Sequence, residues 1–260
     1  MIEVLGVPFY TNSIDSAVKE VIDGCGLGCL PKNYCISASG AHGLVEAAKN
    51  PVFKFILNNF HLNLPDGMPT VWIGRLKGAK DMQRCYGPDF FMKLLQASAT
   101  YPITHFFCGG KEGIAEQLKY NSLNRFGNSN VVGTFTPPFR EMTNTEMQDL
   151  GETINATKAN IVWIGMSCPK QEQFAYRLAS YTNVHYLVAV GAAFDFHTDQ
   201  IKQAPKWMRQ MGLEWFFRLL MEPKRLFPRY FEVVPQFIWL NVKEFSNYLG
   251  KKIKPEGFGI

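Results

Sequence analysis

Short apolar runs closed by Gly, Pro or Asn alternate along the chain with longer stretches of helical spacing, which is the pattern of βα units. The clearest run covers residues 103–108; it ends in Gly109-Gly110-Lys111-Glu112-Gly113 and passes into a helix over 114–125. Residues 131–135 predict a second strand, stopped by Pro137-Pro138. Thr143-x-x-Glu146 then reads as a capping box opening a helix to about Lys158. Residues 161–166 predict a third strand, followed by a turn over 167–169 and a helix from about Lys170 to Ser180. Residues 186–190 are a fourth, ending in Gly191-Ala192-Ala193. The half from 100 to 200 therefore reads as a parallel sheet with helices on its faces, whose ligands bind at the carboxyl ends of the strands.

The first hundred residues fit the same class less cleanly. Residues 33–39 are a strand candidate, and 41–49 and 51–58 are helices. A short apolar run then leads to Leu64-Pro65-Asp66-Gly67, with a helix through Trp72 and Ile73 after it, and Arg84-x-x-Gly87-Pro88-Asp89 opens another. With no internal repeat and no linker, the expected organisation is one Rossmann-like α/β body over 1–200 and a distinct C-terminal tail over 201–260.

Composition sharpens the tail. The chain has 260 residues, 47% hydrophobic and 19% charged, which excludes disorder and fibrous repeats. Its net charge of +5 is unevenly placed: 201–260 carries 11 basic and five acidic residues, so the first 200 residues are close to neutral. The N-terminus lacks a basic segment followed by an apolar one, so a cytoplasmic location is expected. The most apolar stretch, 213–231, is interrupted by Arg218, Glu222, Lys224, Arg225 and Arg229; a spanning helix is not expected, and binding in the membrane interface is open. Six scattered cysteines are expected to be reduced. Cys25-x3-Cys29 with Cys35 lacks the further ligands a structural zinc needs.

Four places carry candidate chemistry. Asp66 is a carboxylate on a tight turn at a strand end, able to act as general base toward a hydroxyl nucleophile; a plain Asp-Gly turn is the alternative. Gly109-Gly110-x-x-Gly113 can bring backbone N–H groups to a phosphate, or simply serve a βα turn. Gly165-Met-Ser-Cys-Pro169-Lys170-Gln171-Glu172 sets Lys170 and Gln171 at a helix start, where dipole and cation both favour a diphosphate. Asp195, His197 and Asp199 read better as polar contacts between loops than as a metal trio. The arginines and aromatics of 212–231 suit either an interfacial membrane element or a helix packed on the body.

Taken together, several segments resemble the WecG/TagA/CpsF family of bacterial glycosyltransferases, glycosyltransferase family 26. These are Leu5-Gly-Val-Pro-Phe9, Leu64-Pro65-Asp66-Gly67, Gly87-Pro88-Asp89, Phe107-Cys-Gly109-Gly110, Gly133-Thr-Phe-Thr-Pro137-Pro138-Phe139, the 165–172 segment, Val190-Gly-Ala-Ala-Phe194-Asp195 and Ala204-Pro-x-Trp207-Met208 running into Gly212-Leu-Glu214-Trp215. The resemblance implies an inverting, metal-independent transferase without cofactor. It would move a sugar from a UDP-sugar to a polyprenyl-diphosphate-linked sugar at the cytoplasmic face of the bacterial inner membrane, in the assembly of capsule, exopolysaccharide, teichoic acid or common antigen. It implies Asp66 as base, with Gly109, Gly110, Gly165, Lys170, Gln171 and Arg84 in the substrate pocket. It further implies a membrane-docking appendage whose Arg218, Arg225 and Arg229 grip a diphosphate, arginine being suited to bidentate phosphate contacts. Many members carry Thr-x-Asn where this chain has Ser37-Ala38-Ser39; the hydroxyl is kept and the amide lost, so an N-acetylmannosamine donor is not assumed.

Two other classes compete. A nucleotide-binding oxidoreductase would need a full GxGxxG with an acidic residue roughly 20 positions on, which the glycines here do not form. A non-catalytic, membrane-associated nucleotide-binding scaffold would share the tail and the body. The basic tail fits anionic lipid and diphosphate without invoking nucleic acid, and oligomeric state, self-association included, is left open by the periodicity.

Overall fold

A computed structural model describes residues 1–26 and 28–253; the end of the expected tail, 254–260, lies outside them. In chain order the elements are β1 (Ile2–Val4), β2 (Val7–Phe9), α1 (Ile14–Gly24), β3 (Tyr34–Ser39), α2 (Ala41–Lys49), α3 (Pro51–Asn58), β4 (Leu62–Pro65), α4 (Met68–Leu76), α5 (Gly87–Ser98) and β5 (His105–Gly109). There follow α6 (Ile114–Phe126), β6 (Val131–Phe135), α7 (Asn144–Ala156), β7 (Ile161–Gly165), α8 (Lys170–Leu178), β8 (Tyr186–Ala189), α9 (Ala193–His197), α10 (Lys206–Gln210), α11 (Glu214–Met221) and α12 (Pro223–Ile253). Strands β3 to β8 form one sheet in the order β4-β3-β8-β7-β5-β6, every neighbouring pair parallel. This is the Rossmann-like α/β body the pattern predicts. The β1–β2 hairpin and α1, the latter capped by the Ser13 side chain, add to it at the N-terminus.

The strands form because they are apolar on both faces. β5, β7 and β8 are buried at every position, as strands covered by helices on both sides must be. Alternation then divides their side chains. Phe107, Trp163 and Val188 join a core with α1, α5 and α6, while Phe106, Val162, Ile164 and Leu187 join another with α7 and α8. Helix starts follow local chemistry: Asn50 accepts from the N–H groups of Val52 and Phe53 ahead of α3, and Thr143 and Glu146 close a capping box on α7.

A third core lies beside the sheet, where Val4, Val7, Phe9, Leu44 and Phe53 pack with Val233 and Phe237 of α12. The long tail helix is therefore seated on the body. Ion pairs fasten it, Lys49 to Glu232 at 2.6 Å and Lys77 to Glu244 at 2.5 Å. Its other face carries exposed Phe227, Phe231, Val234, Ile238 and Val242, spaced three or four apart on one stripe, with Trp239 beside them. Among the described residues no helix is long and apolar enough to cross a membrane.

One core group makes stability depend on pH. His105 is fully buried; its Nδ1 accepts from Trp163 Nε1 at 3.1 Å and its Nε2 lies 2.9 Å from Ser98 Oγ. Burial holds its pKa down at about 3. The folded state thus keeps the ring neutral where the unfolded chain would protonate it, so stability is complete above the ordinary histidine pKa and is lost as pH falls below it. The expected loss between pH 7 and pH 5 is about 2 kcal/mol. Urea denaturation at the two pH values checks this, and His105→Asn, whose Oδ1 can still accept from Trp163, should flatten the difference.

Candidate active site

The carboxyl ends of β4, β3, β8, β7 and β5 lie side by side, and the segments leaving them form the edge at which ligands of parallel sheets bind. Asp66 follows β4 directly. Its N–H bonds to Ser39 O at 3.0 Å, continuing the β3–β4 ladder by one residue, and its carboxylate turns toward the first turn of α5. There Oδ1 accepts from the Gly87 N–H at 2.7 Å. Gly87 is required for this approach: a Cβ at that position would lie 3.0 Å from both Ala38 Cβ and Val190 O. Asp66 is partly buried, and burial pushes its carboxyl above the usual range, while Arg84, the Gly87 N–H and Arg218 pull it back. Among the described residues its carboxylate closes no salt bridge. That leaves a carboxylate of raised basicity free to accept a proton.

Arg84 frames the same turn from outside. Its Nε donates to the main-chain O of Asp66, one terminal nitrogen donates to Glu214 Oε2 at 2.7 Å, and the other to Arg209 O at 3.4 Å. Its guanidinium lies 4.1 Å from the Tyr86 ring centroid, and the Tyr86 hydroxyl donates to the remaining oxygen of Glu214. Arg84 is thus committed to protein partners. Glu214 and Tyr86 are neighbours of this turn that spacing along the chain does not announce, because the contacts join positions 130 and 128 residues apart.

A second polar group is buried between β3 and α8. Ser37 Oγ donates to Glu172 Oε1 at 2.9 Å, and Gln171 Nε2 donates to the same oxygen at 2.8 Å. Gln171 Oε1 accepts from the Gly191 N–H at 2.9 Å. The Gln171 side chain is therefore turned into the body, where it ties α8 to the end of β8; it does not face outward as a helix-start phosphate ligand would. Glu172 is fully buried and its carboxyl is pushed up by burial, with the Cys168 thiol beside it, and among the described residues the buried Ser39 Oγ meets no hydrogen-bond partner.

The glycines answer to packing first. A Cβ on Gly109, whose φ is +139°, would lie 2.5 Å from Gly165 O, and one on Gly165 would lie 2.5 Å from the Phe194 ring. Both let the ends of β5, β7 and α9 come together. Gly110 donates its N–H to Gly165 O at 2.9 Å. Lys170 is exposed, with its ammonium 5.7 Å from the ring of the fully exposed Phe139.

The tail arginines reach this edge at different points. Arg218 packs on Phe196 at 5.6 Å and its charge acts on both Asp66 and Asp195. Arg225 pairs with Glu222 at 2.7 Å and also acts on Asp195, together with Lys111. The Arg229 charge acts instead on His42 of α2 and on Cys168. Structure thus gathers Asp66, Arg84 and Arg218 around one turn, places Ser37, Ser39 and Gln171 behind it, and leaves Lys170 to one side.

The other candidates resolve as contacts. His197 Nε2 meets Pro88 O at 2.9 Å and Asp199 pairs with Arg125. Among the described residues no group of three His, Cys, Asp or Glu side chains is arranged to hold a metal ion, and Cys25, Cys29 and Cys35 are free thiols.

The molecule is thus a Rossmann-like α/β protein with a carboxylate at the carboxyl edge of its parallel sheet, where ligands of such folds bind. The sequence profile described as the Glycosyl transferase WecG/TagA/CpsF family matches residues 2–250, and the chain belongs to that family of glycosyltransferases of bacterial surface polysaccharide synthesis. Membership implies a nucleotide-sugar donor and a lipid-linked acceptor, and it removes the oxidoreductase alternative.

Proposed function

We propose that the protein is an inverting, metal-independent glycosyltransferase that moves a sugar from a UDP-sugar to a polyprenyl-diphosphate-linked sugar at the cytoplasmic face of the bacterial inner membrane. The observation that carries this reading is the Asp66 carboxylate at the carboxyl edge of the sheet, held by the Gly87 N–H, raised in basicity by burial and, among the described residues, in no salt bridge. In the reaction the acceptor hydroxyl oxygen attacks the anomeric carbon, Asp66 takes the hydroxyl proton, and the bond from that carbon to the diphosphate oxygen breaks with its electron pair leaving on UDP. One base suffices for such a single displacement.

The leaving diphosphate needs fixed positive charge, and Arg218, Arg225, Arg229 and Lys170 are the cations this reading assigns to it. Gly109 and Gly110 bring the main chain close to the donor, and Gly165 allows the strand ends to pack behind them. Arg84, Ser37 and Gln171 act by holding the pocket walls, and the buried Ser39 hydroxyl lies behind them against Gly43 of α2. The stripe on α12 supports docking on the bilayer, which brings the lipid-linked acceptor to the site.

The test is the stereochemistry of the product. A panel of α-linked UDP-hexoses and UDP-N-acetylhexosamines is offered with a short-chain polyprenyl-diphosphate sugar, and the new linkage is read by NMR coupling constants. A β-linkage is expected; an α-linkage excludes single displacement at Asp66, and binding of UDP without transfer from any donor favours the scaffold reading.

A further inference from the structure

An arginine beside a partly buried carboxylate ordinarily closes a salt bridge on it, and such a pair holds the carboxyl low and idle as a base. Arg84, the cation with the largest effect on Asp66, does not close one. Its Nε goes to the main-chain O of Asp66, and its terminal nitrogens go away from the turn, to Glu214 and to Arg209 O. Glu214 has both oxygens occupied, by Arg84 and by Tyr86, and is the one buried residue of α11. A buried carboxylate at the head of an otherwise amphipathic surface helix needs a reason, since burying it is costly unless its partners are in place.

The chain leading to Glu214 is pinned to the same region. Arg209 pairs with Asp89 of α5 at 3.0 Å, and Gly212, at φ +74°, lets the turn close on Met68, where a Cβ would come within 2.9 Å of Cγ. The base, the arginine and the head of α11 are therefore one mechanical unit.

We propose that Glu214 is a positioning residue for the transfer reaction: by drawing the Arg84 guanidinium across to α11 it leaves the Asp66 carboxylate free to take the acceptor proton, and it makes the seating of α11 on the body a condition for that free state. The inference rests on the glycosyl-transfer reading and extends it to a residue that touches neither substrate. Without Glu214, Arg84 swings onto Asp66 and pairs with it. The groups facing Asp66 are then Arg84 and Arg218 as cations and the Gly87 N–H as donor, with the Cys85 thiol and the Tyr86 hydroxyl alongside. Among the described groups that act on Asp66, Glu214 is the one carboxylate, and the substitution removes its charge.

The test uses the full chain and needs no substrate: a 13C NMR titration of the Asp66 side-chain carboxyl, assigned with Asp66→Asn. Glu214→Gln is expected to move its midpoint down by about one pH unit or more, the size of effect a new arginine contact has on a carboxylate. The double variant Glu214→Gln/Arg84→Gln removes both charges, so it leaves no lone buried ion if the single variant folds poorly; its midpoint is expected at or above that of the native protein. With a donor that turns over, Glu214→Gln should lower kcat about tenfold with donor KM within about threefold. An Asp66 midpoint unmoved in Glu214→Gln, or lowered in the double variant, overturns the proposal, and a fall in kcat with an unmoved midpoint marks Glu214 as merely structural. Failure of the native protein to transfer from any donor would count against the glycosyl-transfer reading alone, since the titration still reports whether Glu214 diverts Arg84.

Discussion

Asp66→Asn is expected to lower kcat for sugar transfer by about 10²–10⁴-fold, the contribution of a positioned general base, while UDP binding measured by calorimetry changes no more than a few-fold. Asparagine keeps the volume and can still accept from the Gly87 N–H, so the α5 start stays in place and the loss is confined to proton transfer. Turnover near the native level would remove Asp66 from the mechanism. The pH dependence has a definite sign. The base works when ionised, and burial raises its pKa above the usual carboxylate range, so activity should fall on the acid side at a higher pH than an exposed aspartate would give.

The second large effect belongs to the exposed stripe of α12. Replacing Phe227, Phe231, Ile238 and Trp239 together by Ser should leave the fold intact, because these side chains are 57–74% exposed while Leu226, Val233 and Phe237 on the same helix do the packing. Burying a large apolar side chain is worth about 1.5–3 kcal/mol. Even about 0.5 kcal/mol per residue over four residues lowers the partition onto anionic vesicles about 30-fold. Vesicle sedimentation reads the partition, and transfer to a lipid-linked acceptor should fall with it, while UDP binding stays within about twofold. Undiminished vesicle binding would make the stripe irrelevant to docking. These substitutions are a cleaner probe than deletion from about residue 200, which would also strip Val233 and Phe237 from the core beside β1, β2 and α2.

Much of the body was legible because its strands are short apolar runs with punctuation at both ends. Residues 41–49 and 51–58 coincide with α2 and α3, where Asn50 and Pro51 separate two helices by chemistry that is entirely local. Thr143 and Glu146 close the capping box their spacing predicts. Asp66 could be picked out since Pro-Asp-Gly follows a strand, and a strand end in a parallel sheet is where ligands lie. Gln171 shows the limit of such positional reading. A place at a helix start says nothing about which way the side chain turns, and this one turns inward to Glu172 and Gly191. Glu214 was hidden for another reason: in an aromatic, basic segment it reads as a solvated charge, and only the fold brings it to Arg84 and Tyr86. The length of α12 was hidden as well, because Pro228 and Pro235 fall inside a helix of 31 residues and local rules place breaks at both.

The central claim is that a sugar passes from UDP to a lipid-linked acceptor through Asp66 at this edge of the sheet. It is tested most directly by incubating the full chain, on anionic vesicles holding a polyprenyl-diphosphate sugar, with a panel of UDP-sugars labelled in the sugar, and following UDP release and label in the lipid phase together. The account predicts that one donor gives equal amounts of both, that neither appears without the acceptor, and that Asp66→Asn loses both. UDP release without acceptor, label transferred undiminished by Asp66→Asn, or no transfer from any donor would contradict it.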